Sequence, residues 1–151
     1  MRPSDARRVL CLRRRDGAAV VEVAFVLPIF LMVVWGIVEF GRAMMVGQMV
    51  TNAARHGVRI AVIDGSTNDS VRTAVTEFLV SSLGIDATDV DVAIAVDPAP
   101  GNTDPADNLV SAQSKDLCQV RVAVPYDEVS YMAGQFLRGA DLVGQCTMRH
   151  E

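Results

Sequence analysis

Apolar positions along this chain follow three successive patterns. From Ala18 to Val38 they are continuous, AAVVEVAFVLPIFLMVVWGIV, with Glu22 as the single charge. As a helix rising about 1.5 Å per residue, that run covers roughly 30 Å, the thickness of a bilayer's hydrocarbon core. Beyond Val38 the sequence EFGRAMMVGQMVTNAARHGVRIAVIDG keeps a helical pattern. In it Glu39 and Arg42 lie three apart on one side, and the small residues Ala43, Gly47 and Thr51 recur every fourth position. Such a stripe admits another helix at close range, or faces the chain's own domain. Asp64-Gly65-Ser66 breaks the element, so one long helix is predicted over residues 18–63. Pro28 removes a backbone donor inside it and should kink or loosen one turn without ending it.

After Gly65 the periods shorten. STNDSVRTAVTEFLVSSLG sets Val71, Ala74, Val75, Phe78, Leu79 and Ser82 on one face, predicting an amphipathic helix over 68–83 with Ser66, Asn68 or Asp69 as cap and Gly84 as terminator. DVDVAIAVD (89–97) alternates with period two and reads as a half-buried strand with Val90, Val92, Ile94 and Val96 inward. PAPGNTDPADN (98–108) is a turn-rich loop, and DLCQVRVAV (116–124) is a second strand with Cys118, Val120, Val122 and Val124 inward. Residues 126–139 carry a short helical pattern through Val129, Met132, Ala133 and Phe136, and 141–151 a third strand with Leu142, Cys146 and Met148 on one face. The fold class is therefore α+β: a long transmembrane helix, then a small domain of one or two helices on one face of a three-stranded antiparallel sheet. The predicted division is a leader, 1–17, the long helix, 18–63, with its span at 18–38, and an exported domain, 64–151.

Charge adds direction to this picture. Residues 1–17 hold six of the 14 basic residues and two of the 18 acids, while the remainder is acidic. Basic residues flanking an apolar span stay in the cytoplasm, which predicts a single-pass inner-membrane protein with its N-terminus inside and its C-terminal domain outside. An acidic body argues against a nucleic-acid partner, because affinity for the phosphate backbone comes mainly from Lys and Arg. Cys11 falls in the leader, whereas Cys118 and Cys146 fall on neighbouring predicted strands in an exported, oxidising compartment. A disulfide between them is feasible if the register sets them opposite each other, and otherwise they are buried thiols.

Little in the chain suggests catalysis. No nucleophile is placed beside His56 or His150, and no phosphate-loop, zinc or hydrolase spacing occurs, so an enzyme, a cofactor, a bound metal and a small-molecule substrate are all unexpected. Asp86, Asp89 and Asp91, with the loop acids Asp97, Asp104 and Asp107, fit no EF-hand spacing and read as solvated charge. Asn68-Asp69-Ser70 matches a glycosylation acceptor but reads better as helix capping.

The N-terminus is more specific. A cleaved secretory signal, with Gly41-Arg42-Ala43 as its site, is disfavoured by an apolar run that is too long, and an uncleaved signal anchor is the plain alternative. RRRDG followed by AAVVE instead resembles the signal of prepilins, in which a membrane peptidase cuts after glycine and before the apolar segment. Cutting after Gly17 would make Ala18 the first residue and Glu22 the fifth. Val-Glu-x-Ala, Leu-Pro, Gly-Ile-x-Glu-Phe-Gly-Arg and Thr-Asn-Ala-Ala-Arg-x-Gly-x-Arg, all within residues 17–62, resemble the TadE-like minor pseudopilins of tight-adherence (Flp) pilus systems. That resemblance implies a prepilin peptidase acting at Gly17–Ala18 and helix-to-helix packing with other pilins or pseudopilins. It also implies a role in assembly for Glu22, whose carboxylate is costly in an apolar span unless paired, here with the new amine of Ala18. The reading of another class is an uncleaved single-pass assembly or adhesion factor with an exported binding domain.

Overall fold

The computed structural model describes residues 6–130 and 137–151. Among these the helices are α1 (Ala6–Ala61), α2 (Asn68–Leu83) and the single turn α3 (Tyr126–Val129), and the strands are β1 (Asp91–Asp97), β2 (Leu117–Pro125) and β3 (Asp141–Arg149). Short 3-10 turns lie at Ala87–Asp89 and Leu109–Ser111. Helix α1 begins well ahead of the predicted residue 18, because Ala, Arg and Leu in the leader are good helix formers and one glycine does not stop them. Pro28 sits inside it without ending it.

Two compact units divide the chain, Met1–Val38 and Glu39–Glu151. Their boundary falls inside α1 and not at the break near residue 64. The physical reason is burial. Val46, Val50, Ala53, Ala54, Val58 and Ala61 of α1 are fully buried in the core of the second unit, whereas the apolar residues Val20 to Val38 of the first unit are exposed.

In the second unit the sheet is antiparallel in the order β1-β2-β3, with Ile94 opposite Val120 and Val120 opposite Cys146. Val92, Ile94 and Val96 of β1 and Cys118, Val120, Val122 and Val124 of β2 are buried, as their alternation predicts. Over this face lie the outer half of α1 and helix α2, which buries Val71, Val75 and Leu79. Phe78, predicted on the same stripe, is instead at the surface beside the His56 ring, centroids 6.2 Å apart. Two glycines set how closely the layers meet. A Cβ on Gly57 would lie 2.6 Å from a Val75 methyl, and one on Gly144 would lie 2.6–2.7 Å from the backbone of Val50 and Thr51. So α1 rests on α2 at Gly57 and directly on β3 at Gly144.

The cap of α2 is Thr67, not one of the three residues predicted. Its hydroxyl accepts from the Ser70 amide, and the Ser70 hydroxyl accepts from the Thr67 amide, a reciprocal capping box. Asn68 is thereby freed to hold the long loop, donating to the Asp107 carbonyl at 2.8 Å and accepting from the Leu109 amide at 3.0 Å. Of the helical pattern expected over 126–139, the described residues hold the single turn α3, and Met132, Ala133 and Phe136 lie outside them.

Candidate functional site

Gly17, Ala18 and Glu22 all lie on α1, and each is exposed. Ala18 and Glu22 are one turn apart and so share a side of the helix. Around Glu22 the neighbours Val20, Val21, Val23, Phe25 and Val26 are likewise exposed, so its carboxylate projects from an apolar cylinder with no protein layer over it. The helix is long and apolar enough to cross a membrane, with a mean hydropathy of 2.5 over its most apolar window and none of that window buried. A single-pass anchor is what such a surface suits. The Gly17–Ala18 bond lies within the helix, where Gly17 is the weak position: glycine costs about 1 kcal/mol relative to alanine in a helix interior. A Cβ there would meet nothing within 4 Å, so the glycine is not required by packing.

Outer turns of α1 behave differently. Glu39 is buried and its Oε1 accepts from the Leu137 amide at 3.1 Å, while its carbonyl accepts from the Tyr126 hydroxyl at 3.1 Å. Arg42 Nε donates to the Val129 carbonyl at 3.0 Å. The two residues expected merely to share a helix side therefore clamp α3 and the chain leading into β3. Burial, chiefly, pushes the Tyr126 hydroxyl above its ordinary pKa, with the Glu39 charge adding to it. The small-residue stripe also serves this unit, since Ala43 packs on the core and Thr51 presents its backbone to Gly144.

A buried carboxylate, Asp116, organises the long loop. Its Oδ1 accepts from the Ala99 amide at 2.8 Å and the Asn102 side chain at 2.6 Å, and its Oδ2 accepts from the Gln113 amide at 2.7 Å. These bonds to the charged form, the backbone amides first, hold its pKa below the ordinary 3.8 against the effect of burial. Its carbonyl accepts from the His150 amide at 2.8 Å, which brings the C-terminus back against α1's end, with His150 Nε2 3.9 Å from Asp64 Oδ1. Asp116 carries no signal of its own in the sequence, because nothing in its neighbours distinguishes it from the solvated acids of the loop. Among the described residues no three His, Cys, Asp or Glu groups gather as a metal site.

The cysteine expectation depended on register, and the register is offset. Cys118 pairs with Met148, and Cys146 with Val120, so the two are diagonal neighbours on one face and both are free thiols. Diagonal positions are roughly 7–8 Å apart, beyond the reach of an unstrained bridge. Burial pushes the Cys118 thiol up, with the Asp116 charge adding to it, which makes it an inert core residue.

Among known families, residues 17–59 match the model described as TadE-like protein, a family associated with Tad pili. The matched stretch takes in the exposed apolar helix with Glu22 and the outer turns that carry Glu39, Arg42 and Gly57, and it stops before α2. No curated protein and no solved structure matches the chain.

Proposed function

We propose that this protein is a non-enzymatic minor pseudopilin that supports assembly of a Tad/Flp-type pilus. The observation that carries this reading is the coincidence of the TadE-like match at residues 17–59 with a helix whose apolar residues from Val20 to Val38 are exposed. Such a surface is stable in lipid or against the helices of other pilins and unstable in water. In this reading the chain is held in the inner membrane with Arg13, Arg14 and Arg15 on the cytoplasmic side and Glu39–Glu151 outside. A prepilin peptidase hydrolyses the Gly17–Ala18 bond, releasing the leader carboxylate and leaving an α-ammonium on Ala18. That ammonium and Glu22, one turn away, neutralise each other within the chain or between adjacent subunits, which removes the cost of an isolated charge in an apolar layer.

The test is the mass and N-terminal sequence of protein extracted from membranes of piliated cells that contain the peptidase. The expected chain begins at Ala18, and Gly17→Leu accumulates the full-length form. A wild-type chain that still begins at Met1 in such cells overturns the pseudopilin reading in favour of an uncleaved anchor.

A further inference from the structure

On the outer half of α1, the side turned away from the sheet is exposed along Phe40, Gly41, Met44, Met45, Gln48, Asn52, Arg55, His56 and Arg59. At about 100° per residue these positions fall within an arc of about 160°, one continuous helix face. The lower part is apolar: Phe40, Met44 and Met45 are 52, 73 and 52% exposed. These turns also carry Glu39 and Arg42, both bonded into the outer unit at Leu137, Tyr126 and Val129, so they belong to the folded unit and not to the span. The upper part is basic. Arg55 and Arg59 are one turn apart with His56 between them, and among the described residues no carboxylate comes within ion-pair distance of either arginine. The sole acid in this half of α1, Glu39, is buried on the opposite side.

We infer that this face docks a helix of a different pilin-class chain, one that is apolar at its lower end and carries Asp or Glu where it meets Arg55 and Arg59. The inference rests on the proposed function, which supplies parallel helices in one membrane, and adds to it the choice of partner. With the helices parallel, the acids belong ten to fourteen residues beyond the level of Met45, about 15–21 Å at about 1.5 Å per residue. A second copy of this chain is the wrong occupant. Side by side, two such faces set Arg55 and Arg59 against the same two guanidinium groups, and a second α1 offers no exposed acid along these turns on any side, so like charges select against that partner. Acids outnumber bases over residues 39–151, so the basic helix face stands apart from the rest of its unit.

Photo-crosslinking in living piliated cells tests this, with the probe placed in the full chain at Asn52 on the face, or at Ile29 in the span. The expected Asn52 adduct joins this chain to a different pilin, mapped to a helical segment with an acidic residue within one turn. Arg55→Glu with Arg59→Glu should lower its yield roughly tenfold, the equivalent of about 1.4 kcal/mol, whereas Arg55→Lys with Arg59→Lys should hold it within about twofold. An unchanged circular-dichroism melt of the charge-reversed protein shows that the loss is not unfolding. A self-adduct at Asn52, or a yield indifferent to charge reversal, overturns the inference. An adduct with pilins at Ile29 and none at Asn52 overturns it and leaves the proposed function standing. Absence of pilin adducts at both positions overturns the proposed function as well.

Discussion

Gly144 has no room for a side chain, because the backbone of Val50 and Thr51 occupies the place of its Cβ. Gly144→Ala must push α1 off β3, and such overpacking costs about 1–3 kcal/mol. A fall in Tm of roughly 5–15 °C, read by circular dichroism, is the expected outcome. Asp116 acts through charge. Because its folded-state pKa lies below the ordinary 3.8, its contribution is complete above that value and is lost as pH falls through the folded value. Asp116→Asn keeps an acceptor oxygen for Ala99 and Asn102 but turns an amide donor toward the Gln113 amide, which is itself a donor. The variant should melt lower at pH 7 and lose part of the wild-type decline in Tm below about pH 3.8, a difference that closes as acid protonates the wild type. Two melting curves, taken from pH 2 to 7, decide it. Glu39 and Arg42 show the limit of local reading: their types and spacing were plain in the sequence, but their partners lie 98 and 87 residues away.

At the scale of elements, α1 is one hydrogen-bonded helix with two environments. Residues 18–38 offer apolar surface on all sides, and the turns from Glu39 on bury one side in a core and expose the other. A helical period was readable through both stretches, but which turns face a protein layer was not, because that depends on strands far along the chain. Glu22 belongs to the uncovered stretch, so replacing it should not disturb the fold. On the proposed reading, Glu22→Ala makes this stretch more apolar and would leave the amine of a processed Ala18 without its counter-charge. The expected result is protein present at normal level and inserted, with surface pili sharply reduced. Glu22→Asp should be intermediate, since it keeps charge and loses reach. Immunoblotting together with pilus counts by electron microscopy checks this, and full piliation in Glu22→Ala would remove Glu22 from assembly.

For the whole molecule, the arginine-rich flank and the apolar span predict that Glu39–Glu151 lies outside the cytoplasmic membrane. Protease added to spheroplasts should degrade epitopes in that unit while a tag at the N-terminus stays protected. Protection of both until the membrane is lysed would reverse the assignment. The unit's boundary matters for any such fragment. Because the outer turns of α1 form its core, a chain truncated to start at residue 64 would lack Val46, Val50, Ala53, Ala54, Val58 and Ala61, and the remaining sheet would expose the face those residues cover.

Sequence alone determined the long apolar helix, the helix over 68–83, the three strands with the inward parity of β1 and β2, and it carries the motif around Gly17 and Glu22 on which the proposed function rests. Each of these is a property of short segments: a period of 3.6 or 2, a run of apolar residues, a glycine beside charges. Tertiary structure decided the domain boundary inside α1, the offset that keeps Cys118 and Cys146 apart, the clamp at Glu39 and Arg42, and the loop-holding role of Asp116. These depend on which residues from distant segments meet. One extra or missing residue between strands shifts every cross-strand pair, and a buried polar side chain takes its partners from whatever backbone the fold brings within about 3 Å.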